Sequence, residues 1–226
     1  MKTFETRKLL YNKFLYKIVF YNSLAIIFTK AWNRNNFSYA RKELDKLTSN
    51  YDAGIPLQRS SHLFIPIDIS DYKNALSLLD LLKEQPRDSY TLRSERYQIS
   101  IASNDTKFLN KLKNKLDITE FWKPAEDSVK MLQNNERICL VKRDTDFLYR
   151  VYLKAGRTPG IGKFLEKYPT KIKVGKKSLT KLKNNQLHVG LYFYVKDDNT
   201  LFLLQIPYIK HIQKVEKLVY KCNIDK

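Results

Sequence analysis

The chain has 226 residues, 43% of them hydrophobic, and carries 42 Lys and Arg against 23 Asp and Glu, a formal net charge of +19. That length and apolar content suffice to bury a real core in one domain or two small ones, which excludes global disorder. So large an excess of one sign repels itself in a compact fold and attracts polyanions, nucleic acid first among them. AT-biased coding also enriches Lys, but it does not decide where the charge falls. Residues 1 to 59 carry 11 basic and 4 acidic side chains, residues 60 to 135 carry 11 and 11, and residues 136 to 226 carry 20 and 8. Two basic flanks thus enclose a neutral middle.

Cys139 and Cys222 are too few for a disulfide framework or a zinc site, and His62, His188 and His211 do not cluster with them. No metal or cofactor is expected. The N-terminus lacks the order of a signal peptide. The most apolar stretch, Phe14 to Phe28, holds Lys17 and Asn22 and falls short of the about 20 residues a spanning helix needs. A reducing, cytoplasmic location and no membrane contact are expected.

In chain order, Lys13 to Tyr21 is aromatic and β-branched and reads as a strand, while Ser23 to Phe28 fits strand or helix equally. Ser38 to Tyr51 places Tyr39, Ala40, Leu44, Leu47 and Tyr51 on one helical face, with Gly54 as a stop. Leu63, Ile65, Ile67 and Ile69 alternate with His62, Phe64, Pro66 and Asp68, which predicts an edge strand. Asp71 then caps a helix ended by Pro86. Tyr97, Ile99 and Ile101 form a strand, Asp105 caps a helix bearing Phe108, Leu109 and Leu112, and a strand around Ile118 to Trp122 leads to a helix entered through Pro124.

Past Asn134-Asn135 the pattern changes. Ile138 to Val141 and Phe147 to Leu153 suggest a hairpin, followed by helix Ile161 to Tyr168, strand Lys171 to Val174 and helix Ser178 to Lys183. A second hairpin is expected from Leu187 to Lys196 and Thr200 to Leu204 around Asp197-Asp-Asn199, then a last strand from Lys214 to Tyr220. The whole reads as α+β, mixed sheets with helices, each half having the element count of a ferredoxin-like (split βαβ) module. The expected division is a 1–135 scaffold and a basic 136–226 module with two β-hairpins. No residue-level repeat relates the halves.

The densest basic run is Lys163, Lys167, Lys171, Lys173, Lys176, Lys177, Lys181 and Lys183, broken only by Glu166. Such a run neutralises phosphates without reading bases. Upstream, Gly156-Arg-Thr-Pro-Gly160-Ile-Gly162-Lys163 follows a strand and opens a helix, a setting that suits a phosphate contact with Arg157 and Lys163. It is not a nucleotide-binding P-loop: the spacing is one residue too long and Phe164 stands where the Mg²⁺ ligand belongs. In Leu187 to Lys196 the apolar Leu187, Val189, Leu191, Phe193 and Val195 share one face, leaving His188, Tyr192, Tyr194 and Lys196 on the other, where tyrosines can stack on bases. Val189 to Val195 resembles the longer signature strand of RNA-recognition motifs, without its leading basic residue and small central residue.

For catalysis, Asp68 and Asp71, with Glu95 on a neighbouring strand, could meet near a strand end and bind Mg²⁺ as in a nuclease, and His188 on a basic face could serve as a general base. No nucleophile with a partner accompanies them. The expectation is a non-enzymatic nucleic-acid-binding protein, DNA or RNA, with Arg157, the eight lysines, Tyr192 and Tyr194 as its contact residues. The rivals are an assembly subunit of a virion or other large particle, meeting a protein partner, and a small nuclease.

Overall fold

The computed structural model describes residues 1–33, 36–58 and 65–220. The chain divides into two compact units, Met1–Val129 and Lys130–Lys226, each with its own five-stranded sheet and its own apolar cluster.

In the first unit β1 (Lys2–Glu5) precedes β2 (Tyr16–Tyr21), whose Ile18 and Phe20 are buried among the helices. The ambiguous run after it is helical: α1 (Ala25–Asn33) buries Ala25, Ile27, Phe28 and Ala31. Asn36 caps α2 (Phe37–Asp52) by accepting the Ser38 amide at 2.9 Å, and Ala40, Leu44 and Leu47 form its inner face. α3 (Ile69–Lys83) begins where a strand was expected. Residues 62–64 of that expected strand lie outside the described residues, and the rest makes only an isolated pairing of Gln58 with Pro66. Pro66 has no N–H for a ladder. Asp68 caps the helix, taking the Ser70 amide at 2.7 Å. Asp71, expected as the cap, instead accepts the Ser23 amide at 2.9 Å and ties α3 to the start of α1.

β3 (Tyr90–Glu95) and β4 (Gln98–Ser103) pair across a tight turn in which Arg96 has φ 55°. Asp105 caps α4 (Thr106–Lys115) through the Lys107 and Phe108 amides, and β5 (Ile118–Lys123) follows. The sheet order is β1-β5-β2-β4-β3, antiparallel except for the β1 and β5 pair. Without β1, this is the split βαβ arrangement of a ferredoxin-like module.

After α5 (Val129–Asn134), the second unit contains β6 (Ile138–Val141), β7 (Tyr149–Leu153), α6 (Ile161–Lys167), β8 (Ile172–Lys173), α7 (Lys176–Lys183), β9 (Tyr192–Val195), α8 (Asp198–Tyr208) and β10 (Ile212–Tyr220). Its order, β6-β10-β7-β9-β8, repeats that of the first sheet. Again a leading strand runs parallel to the last one, and the other pairs are antiparallel. The connections differ at one point: β8 and β9 are joined through α7, where β3 and β4 have only a tight turn.

Both expected hairpins are corrected. β6 and β7 are not partners, because β10 lies between them. Thr200 to Leu204 belongs to α8, since the Asp197 carboxylate accepts the Thr200 amide at 2.9 Å and its hydroxyl at 2.8 Å and starts a helix. Asp is at home in turns and at N-caps alike, so the local sequence did not separate the two.

Candidate functional site

All eight lysines of the basic run and Arg157 are exposed. Two are engaged: Lys171 with Asp197 and Lys183 with Glu166, each at 2.7 Å. Hydrogen bonds from Lys171 and Thr200 hold the Asp197 carboxyl down at about 2. Lys163, Lys167, Lys173, Lys176, Lys177 and Lys181 make no ion pair among the described residues. On α6, Ile161, Gly162 and Leu165 turn inward while Lys163 and Lys167 face out.

The glycines upstream have structural work of their own. Gly156 and Gly160 adopt φ of 140° and 78°, values that L residues avoid. At Gly162 α6 meets α7 so closely that a Cβ would lie 2.5 Å from the Lys183 backbone nitrogen.

β9 sorts its side chains between two sides of the sheet. Phe193 and Val195 are buried in the cluster formed with α6, α7 and α8, so Tyr192 and Tyr194 face the opposite side. The lysines on α6 therefore stand on the helical layer, and the tyrosines on the other face. Lys173 joins the tyrosines, because it is the register partner of Tyr194. These three residues, with Gly175, Ser178 and Gly190, line a cavity of about 320 Å³. Val174 and Leu191 complete its wall, and no carboxylate among the described residues lines it.

Beside the cavity the same face carries a network that sequence reasoning missed. Arg150 pairs in register with Tyr194 and Tyr152 with Tyr192, and the Tyr152 and Tyr192 ring centroids are 5.7 Å apart. Glu216, only 5% exposed, accepts from Arg150 at 2.7 and 3.1 Å, from the Tyr152 hydroxyl at 3.0 Å and from Lys214 at 2.8 Å. Burial and the Glu216 carboxylate push the Tyr152 phenol up. The signal in the sequence was a lone acid within an otherwise apolar and basic strand, and its partner could not be named without the fold. In the first unit the corresponding sheet face bears Phe4 stacked on Trp122 at 4.8 Å, with Lys17 over the indole at 4.2 Å.

No family model, curated protein or solved structure matches this chain. Its site rests on its own geometry.

Several expectations are corrected by that geometry. The strand that carries the tyrosines starts at Tyr192, so Leu187 and Val189 are exposed, at 69% and 79%, instead of facing the core. His188 does not stand on the basic surface: it is 3% exposed, exchanges backbone hydrogen bonds with Gly156 and meets the Thr158 hydroxyl through Nε2 at 3.1 Å. Burial, then His211 and Lys181, lower its proton affinity. Asp68 and Asp71 are spent on the contacts described above. Among the described residues no three His, Cys, Asp or Glu side chains group as metal ligands do, and no helix is long and apolar enough to cross a membrane. Cys139 is buried, with its sulfur 3.1 Å from an Arg150 nitrogen.

Proposed function

We propose that residues 136–226 bind nucleic acid without catalysing a reaction on it, Lys and Arg supplying affinity that is largely independent of sequence and tyrosines adding stacking. The observation that carries this reading is the pairing of Lys173 with Tyr194 at the rim of a cavity lined by no carboxylate among the described residues, in a unit where Lys163, Lys167, Lys176, Lys177 and Lys181 are exposed and make no ion pair among those residues. A solvated surface ordinarily mixes signs. Cations that keep their charge uncompensated next to the exposed Tyr192 ring suit a phosphate backbone and its bases. The test is fluorescence anisotropy with labelled single-stranded and duplex DNA and RNA at two salt concentrations. Binding that weakens steeply with salt is expected; absence of binding at low salt to all four overturns the reading.

Assembly into a larger particle is the second reading, and one observation favours it. Phe202, Leu203, Ile206 and Ile209, on and just after α8, are 64%, 44%, 65% and 62% exposed and their spacing forms one helical stripe. Self-association through this stripe would appear in sedimentation velocity and vanish in Phe202→Glu with Ile206→Glu; a monomer at all concentrations overturns it.

A further inference from the structure

We propose that the cavity between β9 and the β8–α7 junction receives one unpaired base of a single-stranded nucleic acid, which makes the chain a reader of single strands over duplexes. This deepens the nucleic-acid reading and rests on it. At about 320 Å³ the cavity stands at the small end of ligand-sized sites, suited to one ring system and its sugar. A duplex keeps its bases stacked and paired and has none to insert.

The walls match a base flanked by phosphate. Tyr192 is 44% exposed, and its ring is steadied by Tyr194 and Tyr152, each with its centroid 5.7 Å away. A ring held in place by its neighbours and still open to solvent stacks on a base at little cost in its own freedom. Lys173 supplies the cation, and the Ser178 hydroxyl both donates and accepts, as a base edge requires.

Two glycines leave the cavity open. Nothing lies within 4 Å of a Cβ built at Gly190. One built at Gly175 meets only the Ser178 hydroxyl, at 3.8 Å. Gly175 has φ −64° and ψ 138°, a conformation open to any residue. A larger side chain there occupies the cavity with no strain on the backbone, so Gly175→Leu is a blocking variant whose cost is limited to a weaker N-cap on α7. The first unit lacks this device, because its equivalent strands are joined by a tight turn with no helix between them.

The experiment measures anisotropy of labelled oligo(dT), oligo(U), and DNA and RNA duplexes of equal length, for the wild type, Tyr192→Ala, Tyr192→Phe and Gly175→Leu, with circular dichroism as a check on folding. The wild type is expected to prefer the single strands. Tyr192→Ala and Gly175→Leu should lose about fivefold or more in single-strand affinity, the least that one stacked base contributes, with duplex affinity unchanged and Tyr192→Phe close to wild type. The ratio of oligo(dT) to oligo(U) affinity then identifies DNA or RNA as the strand read. Salt-sensitive binding that is equal for single strands and duplexes, or that neither variant alters, overturns the base cavity and leaves the charged-surface reading standing. Failure to bind any of the four overturns both.

Discussion

Gly162 packs against the backbone of Lys183, where a Cβ would lie 2.5 Å from the nitrogen and 2.6 Å from the Cα. The obstacle is main chain, which cannot rotate away as a side-chain tip would. Gly162→Ala must therefore drive α6 from α7, and a loss of stability at the overpacking scale of about 1–3 kcal/mol is expected. Urea unfolding of wild type and variant measures it. A variant as stable as the wild type would show that the two helices separate freely.

Local chemistry explains which elements were legible beforehand. Asp105 followed by an apolar face announced α4, and the alternation of Tyr192 to Val195 announced β9 and which of its residues face away from the core. Asp197 was illegible because the same carboxylate geometry serves a turn and an N-cap, and only the Thr200 contacts distinguish them. The pairing of β10 with both β6 and β7 joins residues far apart in sequence, beyond what alternation reports. Of the candidate site, Lys173, Tyr192 and Tyr194 were readable as residue types. Their meeting at one cavity was not, because it depends on the register of β8 against β9.

The lysines divide by their partners. Lys171 and Lys183 already face carboxylates, whereas Lys173, Lys176 and Lys177 meet none among the described residues. Replacing the latter three by Gln should lower the slope of log affinity against log salt for a single strand by about 2, at about 0.7 per phosphate contact. Lys171→Gln with Lys183→Gln should change it less. Anisotropy titrations over a range of salt read both slopes, and equal effects would place the contact elsewhere.

Glu216 is the anchor of the tyrosine face. With its side chain 6% exposed and that of Arg150 19% exposed, Glu216→Leu leaves a guanidinium without its carboxylate. Removing one partner of a buried pair costs about 3 kcal/mol or more, and a lowered unfolding midpoint is expected. Arg150→Met combined with Glu216→Leu should recover part of the loss, since both desolvated charges are then gone. A double variant as unstable as the single one would show that the loss comes from packing and not from the stranded charge.

His188 gives the second unit a dependence on pH. Its Nδ1 is buried with no hydrogen-bond partner among the described residues, and its Nε2 meets Thr158. The imidazolium carries an N–H on both nitrogens, and the one at Nδ1 has no acceptor among the described residues, while burial, then His211 and Lys181, hold the folded-state affinity for the proton below that of an ordinary imidazole. The unfolded chain therefore binds the proton first as pH falls. Stability from the neutral ring is present above about pH 6.5 and is lost as pH drops toward the folded value. Urea midpoints taken at about pH 7.5 and about pH 5.5 should fall for the wild type, and the fall should shrink in His188→Phe. An equal fall in that variant would assign the pH dependence to other groups.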